Sequence, residues 1–172
     1  MKALYENKYG FRLLFFAAIL FCCPNLSFAQ PTLPQRAVTV NATQAIHFGV
    51  FAVTGSMGGT VTVGWDGSRT STGDIILLNN APISQPAIFE VKLCEGRNVI
   101  ITFNATTTLT GSSGSLSLDI GPTEKGLTGS NFQTNGNCDF TNLIRVGGTL
   151  TIPGTALPGT YSGNFEMTFN QE

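Results

Sequence analysis

Along most of this chain apolar residues recur at every second position. That period places them on one face of a pleated strand and predicts β structure. Val38, Val40, Ala42, Ile46 and Phe48 alternate with Thr39, Asn41, Thr43 and His47, which predicts one long first core strand. Val61, Val63 and Trp65 alternate with Thr60, Thr62 and Gly64, and Asp66-Gly67 follows as a tight turn. Asp74 to Leu78 reads as a more fully buried strand. Phe89, Val91 and Leu93 face one way and Glu90 and Lys92 the other. Across the polar turn Glu95-Gly96-Arg97-Asn98, Val99, Ile101 and Phe103 form the returning arm of a predicted hairpin. Leu116, Leu118 and Ile120 alternate with Ser115, Ser117 and Asp119. The stretch 121–137, rich in Gly, Thr and Asn, reads mostly as loop. Phe140 to Val146 and Thr149 to Ile152 read as two short strands. After Pro158-Gly159 the last run sets Tyr161, Gly163, Phe165, Met167 and Phe169 on one face.

Many short strands separated by turn signals, with no helical period, predict an all-β single domain. The expected architecture is an antiparallel β-sandwich with Greek-key, immunoglobulin-like connections, and a single closed barrel is the alternative. Large apolar side chains, phenylalanine above all, suit the space between two sheets about 10 Å apart.

The N-terminus departs from this pattern. Lys2, Lys8 and Arg12 precede an unbroken apolar run from Leu13 to Phe21. Pro24 and Asn25 end the run, and Ser27-Phe28-Ala29 offers a signal-peptidase site before Gln30. The run falls short of the roughly twenty residues a bilayer span needs. Phe21 before Cys22 does not fit a lipobox. The expected organisation is a signal peptide over 1–29, a short arm over 30–37 and a β-sandwich domain over 38–172. The destination is then the periplasm, the cell surface or the extracellular space, with no membrane span after cleavage.

The exported part is mildly acidic and sparse in charge. Without a basic stripe it offers no footprint for a nucleic acid. Thr, Ser, Asn and Gly take the place of charge on its surface. Cys94 and Cys138 are an even pair in an oxidising compartment, and they predict a disulfide, against the alternative of two separate thiols. Such a bridge is worth on the order of 4 kcal/mol when unstrained.

Constellations for catalysis are thin. The serines of Gly55-Ser56-Met57-Gly58-Gly59 and Gly111-Ser112-Ser113-Gly114 sit at the wrong offsets for a nucleophile elbow. His47, the only histidine, falls on the polar side of a predicted strand and needs a nucleophile and an orienting acid to become a base. Asp66 with Asp74, or Asp119 with Glu124, are carboxylate pairs of the kind any acidic chain offers, and turn formation accounts for the aspartates. Asn41-Ala42-Thr43 and Asn104-Ala105-Thr106 fit the glycosylation pattern, as chance allows in so Asn- and Thr-rich a chain. The expectation is a protein that is not an enzyme and uses no cofactor or metal.

Ile46-His47-Phe48-Gly49-Val50-Phe51 resembles the entry motif of a bacterial secreted family catalogued as domain of unknown function four-four-zero-two. Gly59-Thr60-Val61-Thr62-Val63 with Asp66-Gly67-Ser68-Arg69 resembles its next hairpin, and Pro86-Ala87-Ile88-Phe89-Glu90-Val91 its central strand. Its closing pair is similar to Gly147-Gly148-Thr149-Leu150-Thr151-Ile152 and Gly159-Thr160-Tyr161-Ser162-Gly163-Asn164-Phe165. The resemblance implies no catalytic activity and a likeness to pilin and adhesin subunits. Cys94 and Cys138 are not a pair expected in every member.

Two functions follow as expectations. The first is a structural or adhesive subunit of a fimbria-like or other surface assembly, built by β-strand pairing with other subunits and helped by a periplasmic chaperone. Its candidate strand-pairing residues are Val38, Val40, Ile46 and Phe48 near the start, and Tyr161, Phe165, Met167 and Phe169 near the end. The arm 30–37 is a poor donor strand because Pro31 and Pro34 lack the N–H that pairing needs. The second is a monomeric binding module for carbohydrate or protein, using loops such as 54–59 and 121–137 and the aromatics Trp65, Phe132 and Tyr161.

Overall fold

The computed structural model describes residues 38–93, 97–134 and 141–171. Chain contacts divide the protein into Met1–Gln35 and Arg36–Glu172, and every described residue lies in the second unit. All of its regular structure is β-strand: β1 (Thr39–Gln44), β2 (Val50–Val53), β3 (Gly59–Val63), β4 (Arg69–Gly73), β5 (Ile75–Leu78), β6 (Ala87–Lys92), β7 (Asn98–Phe103), β8 (Thr106–Gly111), β9 (Gly114–Thr123), β10 (Asn131–Gln133), β11 (Asn142–Ile152), β12 (Tyr161–Ser162) and β13 (Met167–Gln171). No helix among the described residues is long and apolar enough to cross a membrane.

The strands form an antiparallel sandwich. The larger sheet runs β1-β6-β11-β9-β8-β12, and β3 pairs with the second half of β11 and carries β4 at its side. The other layer is broken into a three-stranded sheet, β10-β7-β13, and a two-stranded ribbon, β2-β5. Val61, Val91, Leu118, Ile144 and Ile152 enter the core from the large sheet, Val99, Ile101 and Phe169 from the three-stranded sheet, and Ile75 from the ribbon. Phe89 on β6 meets Phe165 edge-on at 6.0 Å and Phe169 at 6.1 Å, an aromatic contact that joins the layers.

Several elements differ from the sequence pattern, each for a local reason. The long first strand is two strands. β1 shifts register between Ala42 and Gln44 and stops there, while β2 belongs to the opposite layer. Ile46 and Phe48 lie in the connection. The predicted hairpin of 89–93 with 99–103 does not form. β6 pairs with β1 and β11, and β7 pairs with β10 and β13, so the two runs belong to opposite layers. Each run alternates cleanly, but alternation identifies the buried face and not the partner strand. Residues 140–146 and 149–152 do not make two strands either. β11 runs through Gly147-Gly148, where β3 and β9 come close: a Cβ on Gly147 would sit 2.6 Å from Val63 O, and one on Gly148 3.0 Å from Asp119 O. Within 121–137, β9 extends to Thr123 and β10 inserts the buried Phe132. In β5 only Ile75 is fully buried, and Ile76 is 53% exposed. The last run splits into β12 on the large sheet and β13 on the other layer, so the chain changes sheet between Gly163 and Glu166.

The outward face of the large sheet explains the Thr-rich composition. Thr72, Thr60, Thr151, Ser117 and Thr108 stand in register across β4, β3, β11, β9 and β8, and Thr70, Thr62, Thr149, Asp119 and Thr106 form the next row. Hydroxyls bridge neighbouring strands, Thr60 to Thr72 at 2.7 Å and Thr62 to Thr149 at 3.0 Å. β-Branched threonine suits a strand, and its hydroxyl keeps that face wet.

Candidate functional site

The break in the second layer is a groove. One wall is the stretch from Ala42 through β2, and the other is the stretch from Ala156 to Phe165. Its floor is the inward face of the large sheet: Ala87 and Phe89 of β6, Leu109 of β8, Leu116 and Leu118 of β9, and Leu150 and Ile152 of β11. The space has a volume of about 1120 Å³, and no Asp, Glu, Lys or Arg lines it.

Both walls present backbone that no strand covers among the described residues. Among the described residues β2 pairs only with β5, which leaves its other edge unladdered. On the opposite wall β12 is two residues long, and the chain from Gly163 to Glu166 has no strand partner. That stretch is held to β8 by side chains: Thr107 Oγ1 donates to Asn164 O at 3.0 Å and Thr110 Oγ1 to Ser162 O at 3.4 Å. The Tyr161 hydroxyl donates to Leu157 O at 2.7 Å and closes the turn that enters the wall. Gly163 lies so near β8 that a Cβ there would sit 2.6 Å from Thr108 O.

Arg69 fixes the first wall. Its guanidinium donates to Val50 O at 2.7 Å and to Leu78 O at 3.1 Å, so one side chain of β4 grips the end of the β2-β5 ribbon. Gly49 makes room for it. Its φ of +71° suits glycine, and a Cβ there would lie 3.0 Å from Arg69 Cζ. Partial burial lowers the Arg69 pKa, and the group stays charged. Arg69 Nε is buried without a hydrogen-bond partner, so only two of its nitrogens serve the grip. Arg69→Met keeps much of the stem and removes both bonds. We expect it to cost about 1.5–3 kcal/mol in urea unfolding, the range for hydrogen bonds from a charged donor. An unchanged midpoint would show that the ribbon docks without Arg69.

The groove gathers four of the sequence-predicted pairing residues: Ile46 and Phe48 on one wall, Tyr161 and Phe165 on the other. The other four do not line it. Val38 and Val40 belong to the β1 end of the large sheet, and Met167 and Phe169 to the layer that β13 joins. Cys94 and Cys138, with their predicted disulfide, lie outside the described residues, as do the signal peptide and the arm. His47 is half-buried, and its Nδ1 accepts the Gly49 N–H at 3.1 Å, which shapes the turn into β2. Asp66 Oδ1 accepts from Ser68 N and Oγ, bonds that lower its pKa, and Asp74 Oδ2 accepts from Met57 N. Both aspartates thus fix loops. Among the described residues no three His, Cys, Asp or Glu side chains cluster as metal ligands. Of the aromatics considered for sugar stacking, Phe132 is core and Tyr161 is groove wall, while Trp65 is 41% exposed.

Sequence reasoning missed Arg69, which sits in a run of Ser and Thr and looks like an ordinary exposed strand residue. It also missed Gln85, whose backbone pairs with His47 in both directions at 2.8 Å. Arg69 closes the Asp66-Gly67-Ser68-Arg69 motif, but nothing in that motif shows what its guanidinium holds, and no local pattern marks Gln85.

Fold and groove together define an all-β sandwich whose second layer is interrupted by an uncharged trough. The chain belongs to the family described as Domain of unknown function (DUF4402), which matches residues 38–170. No curated protein and no solved structure matches the chain.

Proposed function

We propose that this protein is an exported, non-catalytic subunit of a fimbria-like or other surface assembly, joined to its neighbours by β-strand addition. The groove carries the proposal: its floor is continuous with the apolar core, and among the described residues its walls leave backbone N–H and C=O groups without strand partners. An extended peptide satisfies both features at once. Its alternate side chains reach the floor, and its main chain ladders with the walls. A lipid or small apolar ligand would fill the volume and leave the backbone unpaired. The lining, with no Asp, Glu, Lys or Arg, fits a strand of apolar and hydroxyl residues.

A simple experiment tests this. The purified protein, run in denaturing detergent without heating, is expected to give a ladder of multimers that collapses to one band after boiling. A single monomer band under both conditions, from protein that is monodisperse in solution, would overturn the proposal.

A further inference from the structure

We infer that the strand entering the groove is β1 of a second copy of this chain, released from β6 at the register break between Ala42 and Gln44. The inference rests on the reading that the groove accepts a strand, and it names the donor.

Among the described residues β1 is an edge strand that pairs with β6 alone and buries none of its own side chains. Every residue from Thr39 to Thr43 is exposed, and Gln44 is half-buried. Val40 lies opposite the buried Val91, on the core side of the sheet, yet it is 41% exposed. The strand is held chiefly by its ladder to β6, which the break at Ala42/Gln44 already interrupts.

Beyond that break the chain is pinned. Gln44 Nε2 donates to Pro86 O at 2.7 Å, Gln85 Nε2 donates to Ala45 O at 3.1 Å, and His47 and Gln85 exchange two backbone bonds. Residues up to Thr43 can therefore leave while the wall from Gln44 onward stays in place. Few strands offer so defined a hinge.

The chemistry of β1 matches the groove. Val38 to Thr43 carries no charge, as no Asp, Glu, Lys or Arg lines the groove, and it contains no proline. Val38, Val40 and Ala42 share one face, the alternation that a trough with one apolar floor requires. β1 is six residues long and the β2 wall four, so one strand spans that wall. The preceding arm carries Pro31, Pro34 and Arg36 and fits worse on every count. Of the released residues only Ala42 and Thr43 also line the groove, so each copy still gives and receives. The contact is heterologous and grows an open chain.

The test has two arms. In the first, a fluorescent peptide of residues 38–43 is titrated into the purified protein and followed by anisotropy. Saturable binding is expected, with at least about a tenfold loss for the same peptide carrying Val40→Asp, because a carboxylate cannot be buried unpaired on an apolar floor. A peptide of residues 30–37 is expected not to bind. In the second arm, a full chain with Val40→Asp, whose fold is checked by circular dichroism, is a defective donor with an intact groove. Alone it is expected to give no ladder. Mixed with a Gly163→Val chain, a donor with a damaged groove, it is expected to give a discrete two-chain species. A ladder that survives Val40→Asp but not Gly163→Val overturns the donor assignment and leaves the groove as acceptor. A ladder that survives both overturns the groove reading as well. Binding of the 30–37 peptide in preference to 38–43 moves the donor to the arm and overturns the inference.

Discussion

Replacing Ile144 with alanine is expected to lower the free energy of unfolding by about 3–4 kcal/mol. Ile144 is fully buried in β11, the strand that pairs with β6, β9 and β3, and it stands opposite Phe89, which joins the two layers. Truncation removes several buried methyl groups and leaves a cavity. Its walls are backbone-paired strands with little freedom to collapse, which puts the cost in the upper part of the usual range. Small domains are stable by only about 5–15 kcal/mol, so a large share of the total is lost. Thr151 on the outward face of the same strand is the control: Thr151→Ala is expected to change stability by no more than about 0.5 kcal/mol. Urea unfolding followed by circular dichroism measures both. Equal effects would mean that the inward and outward faces of β11 are misassigned.

Gly163→Val is expected to abolish multimer formation while leaving most of the fold intact. The added Cβ would meet Thr108 O at 2.6 Å and Leu109 Cδ2 at 2.9 Å, so the wall segment must move away from β8. Because Gly163 to Glu166 has no strand partner, that displacement breaks little pairing, and the stability cost should fall within about 1–3 kcal/mol. The groove pays instead, because its second wall is no longer spaced for a strand. The measurement is the unheated gel ladder, read beside a thermal melt. A normal ladder from a variant with a lowered melting temperature would separate this wall from assembly altogether.

How much of this was legible in the sequence depends on what each residue's surroundings contribute. The faces of strands were readable: Val61 and Val63, or Leu116, Leu118 and Ile120, are buried as their alternation demands. Pairing was not. Val91 and Val99 look like the two arms of one hairpin, and they sit in different layers because long-range partners, β11 for one and β13 for the other, compete successfully for their edges. Gly147-Gly148 reads as punctuation, but here it is the thin place where three strands fit together. The groove was half visible. Ile46, Phe48, Tyr161 and Phe165 stood out by their apolar character, yet the gap between them is a property of the sheet order, which no local pattern encodes. Arg69 was invisible for the same reason, since its partners Val50 and Leu78 contribute only carbonyl oxygens.

The hydroxyl rows on the large sheet bear on how such an object meets its surroundings. Asp119 is the only titratable group among the ten residues of those two rows, and the rows carry no cation. The hydroxyls of these rows hold their water through neutral hydrogen bonds, which ionic strength does not screen. Copies joined end to end through their grooves would carry that coat along the whole length of a fibre. The wetting of these rows would be the same in brackish or fresh water.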